Sequence, residues 1–76
     1  MDVYELLTKS LEDAEVDIYH ATDVSDVDTY RRKALADIHG AEQAEMLSAT
    51  EAESWRKRIT DVSTFRRASL EWREDT

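Results

Sequence analysis

The chain has 76 residues, a net charge of −8, no cysteine, no proline and a single glycine, Gly40. These totals exclude disulfides and thiolate metal sites, exclude a glycine-rich phosphate loop, and argue against a β architecture, which needs many turns. A chain this short buries only about 60% of the surface its unfolded form exposes, so self-association or partner binding is the expected supplement to a thin core.

The charge is unevenly spread. Residues 1–30 carry nine acids against one base, Lys9, whereas residues 31–50 and 51–76 are each balanced. The whole net charge therefore sits in the first segment. The start, MDVYELL, lacks the basic and long apolar regions of a signal peptide. No run approaches the ~18 apolar residues of a membrane span. A soluble, cytoplasmic protein without a membrane role is expected. Arginine outnumbers lysine seven to three and asparagine is absent, a bias that suits a GC-rich genome. The acid excess also suits a salt-loving organism.

Helix positions advance about 100° per residue. In the first segment Val3, Leu7, Leu11, Ala14 and Ile18 share one stripe about 80° wide, with Tyr4 beside it. Asp2 can cap the start, and Glu5 precedes Lys9 by the favourable four positions. The pattern predicts a first helix over 3–20. Alternation across Val16–His20 could be read as a strand, but it would have no partner.

Residues 21–26 read as a loop, with Ser25 or Asp26 available as the next cap. Val27, Tyr30, Ala34, Ile38 and Ala41 form the second stripe, flanked by Leu35, and Asp28 is spaced to pair with Arg32. A second helix is predicted over 26–47. Its weak point is Gly40, which either ends it in a left-handed cap or is carried inside at about 1 kcal/mol. Ser48 with Glu51, and Thr50 with Glu53, both match the capping-box spacing. A third helix follows over 50–73. The short connection makes helices two and three an antiparallel hairpin, and the expected fold is an all-α three-helix bundle, residues 1–76 forming one helical domain.

The third helix carries two apolar faces. Trp55, Ile59 and Val62 form one, with Ala52 and Leu70 at its edge, and the line then meets Arg66, Ser69 and Arg73. Phe65 and Trp72 lie about 100° away, seven residues apart. Either the helix bends or both faces are covered by the other two helices, or else Phe65 and Trp72 form a docking surface with Arg66, Ser69 and Arg73 around it. Aromatic residues and arginine are the types enriched at binding hot spots.

Other chemistry finds little footing. His20 and His39 do not have the spacing of a zinc site. Asp26, Asp28 and Asp37 match positions of a calcium loop, but Arg31 stands where glycine is required and Tyr30 replaces an oxygen ligand. No serine-nucleophile motif is present, and neither a cofactor nor catalysis is expected. The basic runs Arg31–Arg32–Lys33, Arg56–Lys57–Arg58 and Arg66–Arg67 could meet phosphates. The net charge opposes that, so intramolecular pairing with the first helix's acids is expected and direct nucleic-acid binding is disfavoured.

The leading expectation is a non-enzymatic interaction module, an adaptor, assembly or regulatory accessory protein. It docks another protein or a second copy of itself through Phe65, Arg66, Ser69, Trp72 and Arg73. The alternative is an inhibitor that mimics nucleic acid, its acidic face of Glu5, Glu12, Asp13, Glu15 and Asp17 occupying a basic partner. A small nucleic-acid-binding regulator is a weaker third reading. Size and composition suit an accessory protein of a phage or another mobile element.

Overall fold

The structure, a computed structural model, describes the backbone of residues 2–74 and the side chains of residues 2–72. Three helices follow one another: α1 (Val3–Tyr19), α2 (Val24–Gln43) and α3 (Ala49–Glu74). Contacts at matched heights give the bundle its directions. Tyr4 meets Glu51 and Glu15 meets Arg58, so α1 and α3 run parallel. Asp28 meets Arg67 and Glu42 meets Arg56, so α2 and α3 run antiparallel and pack most closely. The expected all-α three-helix bundle is what forms, and the Val16–His20 segment stays helical through Tyr19.

Each helix contributes a narrow apolar stripe to one core. Leu11, Ile18, Val27, Ile38, Ala52 and Ile59 are fully buried, with Ala34, Ala41, Leu47, Trp55 and Leu70 close behind. At α3 the stripe turns polar after Val62, as the linear spacing suggests, but it does not leave the interior there. It continues through Ser63 and the half-buried Arg66 to Leu70. The Ser63 hydroxyl is silenced by donating to the Ile59 carbonyl at 2.6 Å, which lets a small polar side chain lie in the seam.

The helix ends differ from expectation in instructive ways. Asp2 caps α1 as anticipated, accepting the Glu5 N–H at 2.8 Å. The cap of α2 is Asp23, which accepts the Asp26 N–H at 2.8 Å, so the helix starts three residues before Val27 rather than at 26. Gly40 does not break α2. The helix ends at Gln43, short of 47, in a Schellman turn: Met46 N–H bonds the Ala41 carbonyl at 2.8 Å and Glu45 N–H bonds the Glu42 carbonyl at 3.1 Å. Glu45 takes the left-handed position at φ 60°, where glycine is the unstrained residue. Ser48, not Thr50, caps α3. Its Oγ accepts the Glu51 N–H, and Glu51 Oε1 accepts the Ser48 N–H, each at 3.1 Å. The other oxygen of Glu51 accepts the Tyr4 hydroxyl at 2.7 Å, so one carboxylate caps α3 and ties α1 to it.

Two substitutions at these ends should stabilise the protein. Gly40 is exposed and a Cβ added there meets nothing within 4 Å, so Gly40→Ala gains about 1 kcal/mol of helix propensity. Glu45→Gly relieves the left-handed strain and removes a negative charge from the negative end of the helix dipole, gaining about 0.5–1 kcal/mol. Urea denaturation should show both midpoints rising, and a fall in either would refute the account of that turn.

The Tyr4–Glu51 contact should leave a pH signature. Hydrogen bonds from Tyr4 and Ser48 hold the Glu51 carboxyl below its ordinary value of 4.5, and the same bond to Glu51 raises the Tyr4 phenol above 10.0. A depressed acid stabilises the fold above its unfolded pKa and loses that contribution as pH falls through the folded one. A raised phenol does the converse, stabilising below 10.0 and losing the contribution as pH rises past it. Melting temperatures of Tyr4→Phe should therefore fall less than those of the wild type at both extremes. Identical acid and alkaline limbs would show that the bond contributes nothing.

Candidate interaction surface

Phe65 and Trp72 are not covered by the other helices. They are 61% and 72% exposed, on the side of α3 turned toward α1 and away from the core stripe. The Phe65 ring lies parallel to Tyr19 of α1, interplanar angle 2° and centroids 6.5 Å apart, and His20 packs edge-on against Tyr19 at 5.2 Å. Val16, one turn before Tyr19, is 53% exposed. A shallow hollow of about 280 Å³ between Val16, Tyr19, His20 and Val62 joins the two helices. The result is an apolar face built from both α1 and α3. Sequence periodicity found the α3 half. Val16 and Tyr19 were missed because they fall outside the α1 stripe, and only the parallel packing of α1 on α3 places them beside Phe65.

Trp72 owes its exposure to helix length. Arg66 meets the loop after α1, donating from Nε to the Ala21 carbonyl at 2.8 Å. The remaining residues of α3 run on past the end of α1, and the molecule is elongated to 45 × 22 × 14 Å. Leu70 in that overhang is buried, so its inner side is covered while Trp72 on the outer side is not.

The other expected docking residues fare differently. Ser69 is half-buried between Phe65 and Trp72 on the same side of α3. Arg66 is half-buried and engaged by the Ala21 carbonyl, an orphan acceptor at the end of α1, so it acts as a brace between α3 and the α1–α2 loop. Arg73 lies outside the described side chains.

The acids of α1 also divide. Glu15 accepts both Nε and NH2 of Arg58, at 3.1 and 2.8 Å, and that guanidinium lies 4.1 Å from the centroid of the Trp55 ring. Glu5, Glu12, Asp13 and Asp17 stay exposed, and among the described residues none of them forms an ion pair. Glu5 and Glu12 line the α3 side of the outer face, in register with Val16 and Tyr19. Asp13 and Asp17 face α2, where they share a groove with Tyr30, Lys33 and Asp37. The expected Glu5–Lys9 and Asp28–Arg32 pairs do not form, because Lys9 points to solvent and Asp28 is taken by Arg67 at 3.2 Å.

The basic runs of α3 are engaged inside the molecule, but mostly not with α1. Arg56 pairs with Glu42 of α2, Arg67 with Asp28 of α2, and Lys57 with Asp61 one turn on, leaving Arg58–Glu15 as the one bridge to α1 among the described residues. Pairs this exposed contribute about 0–1 kcal/mol each. Among the described residues no group of three or more histidines and carboxylates is arranged to hold a metal, and no helix is long and apolar enough to cross a membrane. No family model matches the chain, and neither a curated protein nor a solved structure resembles it significantly.

Exposure separates the two apolar faces of α3 experimentally. Phe65→Ala and Trp72→Ala should each change unfolding free energy by no more than about 0.5 kcal/mol. Ile59→Val, in the fully buried stripe, should cost about 0.5–1.5 kcal/mol. A loss above 1 kcal/mol in Trp72→Ala would mean that its ring supports the fold after all.

Proposed function

We propose that the protein is a non-enzymatic interaction module, an adaptor or regulatory accessory protein, which docks through the face formed by Val16, Tyr19, Phe65 and Trp72. The observation that carries this reading is the exposure of Phe65 and Trp72 in a chain with so few large apolar side chains. A thin core could have used both rings. Leaving them on one side, beside a parallel Tyr19, matches the composition of binding hot spots. Ser69 between the two rings can supply a polar contact at the rim.

A second reading rests on a different observation. Glu5, Glu12, Asp13 and Asp17 form a set of carboxylates on one helix that is unpaired among the described residues, which favours an inhibitor that imitates the charge of nucleic acid on a basic partner. Direct binding of nucleic acid is supported least, since the α3 cations described above have internal partners and the net charge repels a polyanion.

Salt and one substitution distinguish the first two. Association through the aromatic face should persist between 0.1 and 0.5 M potassium chloride and weaken at least tenfold in Trp72→Ala, a change of about 1.4 kcal/mol. Binding that fades over that salt range and ignores Trp72→Ala would favour the acidic mimic instead, because screening acts on charge and not on apolar burial.

A further inference from the structure

We propose that the occupant of the aromatic face is a basic amphipathic helix of a partner protein, a reading that rests on the docking face described above. The apolar part of the face has the dimensions of a helix-binding strip. Phe65 and Trp72 stand two turns apart, about 10 Å along α3 at 1.5 Å per residue, and the strip continues onto α1 through Tyr19, whose ring lies parallel to Phe65, and Val16, which shares a hollow with Tyr19 and Val62. Apolar side chains at i, i+3 or i+4, and i+7 of an incoming helix match that spacing.

Charge selects among helices. Glu12 lies one turn before Val16 on the same outer line of α1, and Glu5 lies two turns before Glu12; among the described residues neither forms an ion pair, although Glu12 is near enough to Arg58 to favour its charged form. The cations of α3 that border the face are already held. Arg58 is paired with Glu15 and Lys57 with Asp61, whereas Arg66 keeps its charge on the neutral Ala21 carbonyl; on α1 Lys9 is the one base against Glu5, Glu12, Asp13 and Asp17. The face therefore has an apolar centre with a net acidic flank, and its complement is a helix with leucine-like anchors followed by lysine or arginine.

Charge also disfavours the other occupants. A second copy brings the same net charge of −8, so two chains repel one another at long range. An anionic lipid surface or a nucleic acid meets the same repulsion.

The test is calorimetric titration with two synthetic 18-residue helical peptides. Both carry leucine on one face. The rest of one is lysine, and the rest of the other is glutamate. Circular dichroism confirms that each protein variant folds. The lysine peptide should bind with a micromolar constant and the glutamate peptide should not. Phe65→Ala and Trp72→Ala should each weaken binding at least tenfold, Glu12→Lys about fivefold or more, and Asp13→Asn with Asp37→Asn on the α2 side less than twofold. Equal effects from Glu12→Lys and the α2-side pair, with none from the aromatic variants, would reduce the binding to nonspecific charge and overturn the proposal. Sedimentation of the protein alone gives the other decisive outcome. A dimer that Trp72→Ala turns into monomer would make a second copy the occupant, overturning this inference while leaving the docking face standing. Absence of both peptide binding and self-association would remove the docking face as well.

Discussion

Burial of one narrow stripe from each of three helices is the constraint on which the rest of the molecule depends. With Leu11 and Ile18 on α1, Val27 and Ile38 on α2, and Ile59 on α3 as the fully buried large side chains, there is little apolar material to spare. Each helix must present its stripe to the other two at once. That fixes the order of directions, with α1 parallel to α3 and α2 antiparallel to it, and it explains the placement of the bridges. Arg58 reaches α1 over the ring of Trp55, while Arg56 and Arg67 reach α2 from the other side of α3. None of these pairs is strong, being exposed, but they sit along both seams and oppose slippage of one helix against another.

The ends of the helices show the same economy. Glu51 closes the first turn of α3 and accepts the Tyr4 hydroxyl, and Arg66 satisfies the Ala21 carbonyl just past the end of α1. Single side chains thus serve both a local backbone group and a tertiary contact. The Schellman turn at Glu45 has the opposite character. A left-handed glutamate is strained where glycine is not, and the turn is held by the burial of Leu47 immediately after it.

Much of this was legible from periodicity. The three stripes, the Asp2 cap and the Ser48–Glu51 box are local patterns, and local patterns survive into the fold. What escaped depended on distance in the chain. Asp28 has Arg32 four residues on, yet bonds Arg67, since α3 packs against that side of α2. Ser25 and Asp26 were as acceptable as Asp23 for a cap, because all three are short polar side chains and nothing local ranks them. Arg66 looked like the end of the core stripe, and Ser63 did not stand out as part of it. They continue it because a hydroxyl bonded to its own helix and a guanidinium bonded to a loop carbonyl can both lie along a seam. The docking face was half legible for the same reason. Phe65 and Trp72 stood out by their offset from the stripe, whereas Val16 and Tyr19 acquire meaning only once α1 lies beside α3.

The acid excess and the aromatic face are best understood together. Had the net charge served only to keep the chain apart from its neighbours, an even spread of it over the three helices would have sufficed. The bases are instead nearly absent from α1, the helix that forms one wall of the aromatic face, where Lys9 stands alone against five acids, while on α3, the other wall, Lys57 and Arg58 are paired with carboxylates of the same molecule. A surface arranged this way repels copies of itself and most anionic surfaces, yet its apolar centre stays uncovered. Long-range charge then governs which molecules approach, and desolvation of Phe65, Trp72 and Tyr19 governs which of them stay. Dividing the two tasks in this way lets a chain of 76 residues discriminate between partners without a deep pocket.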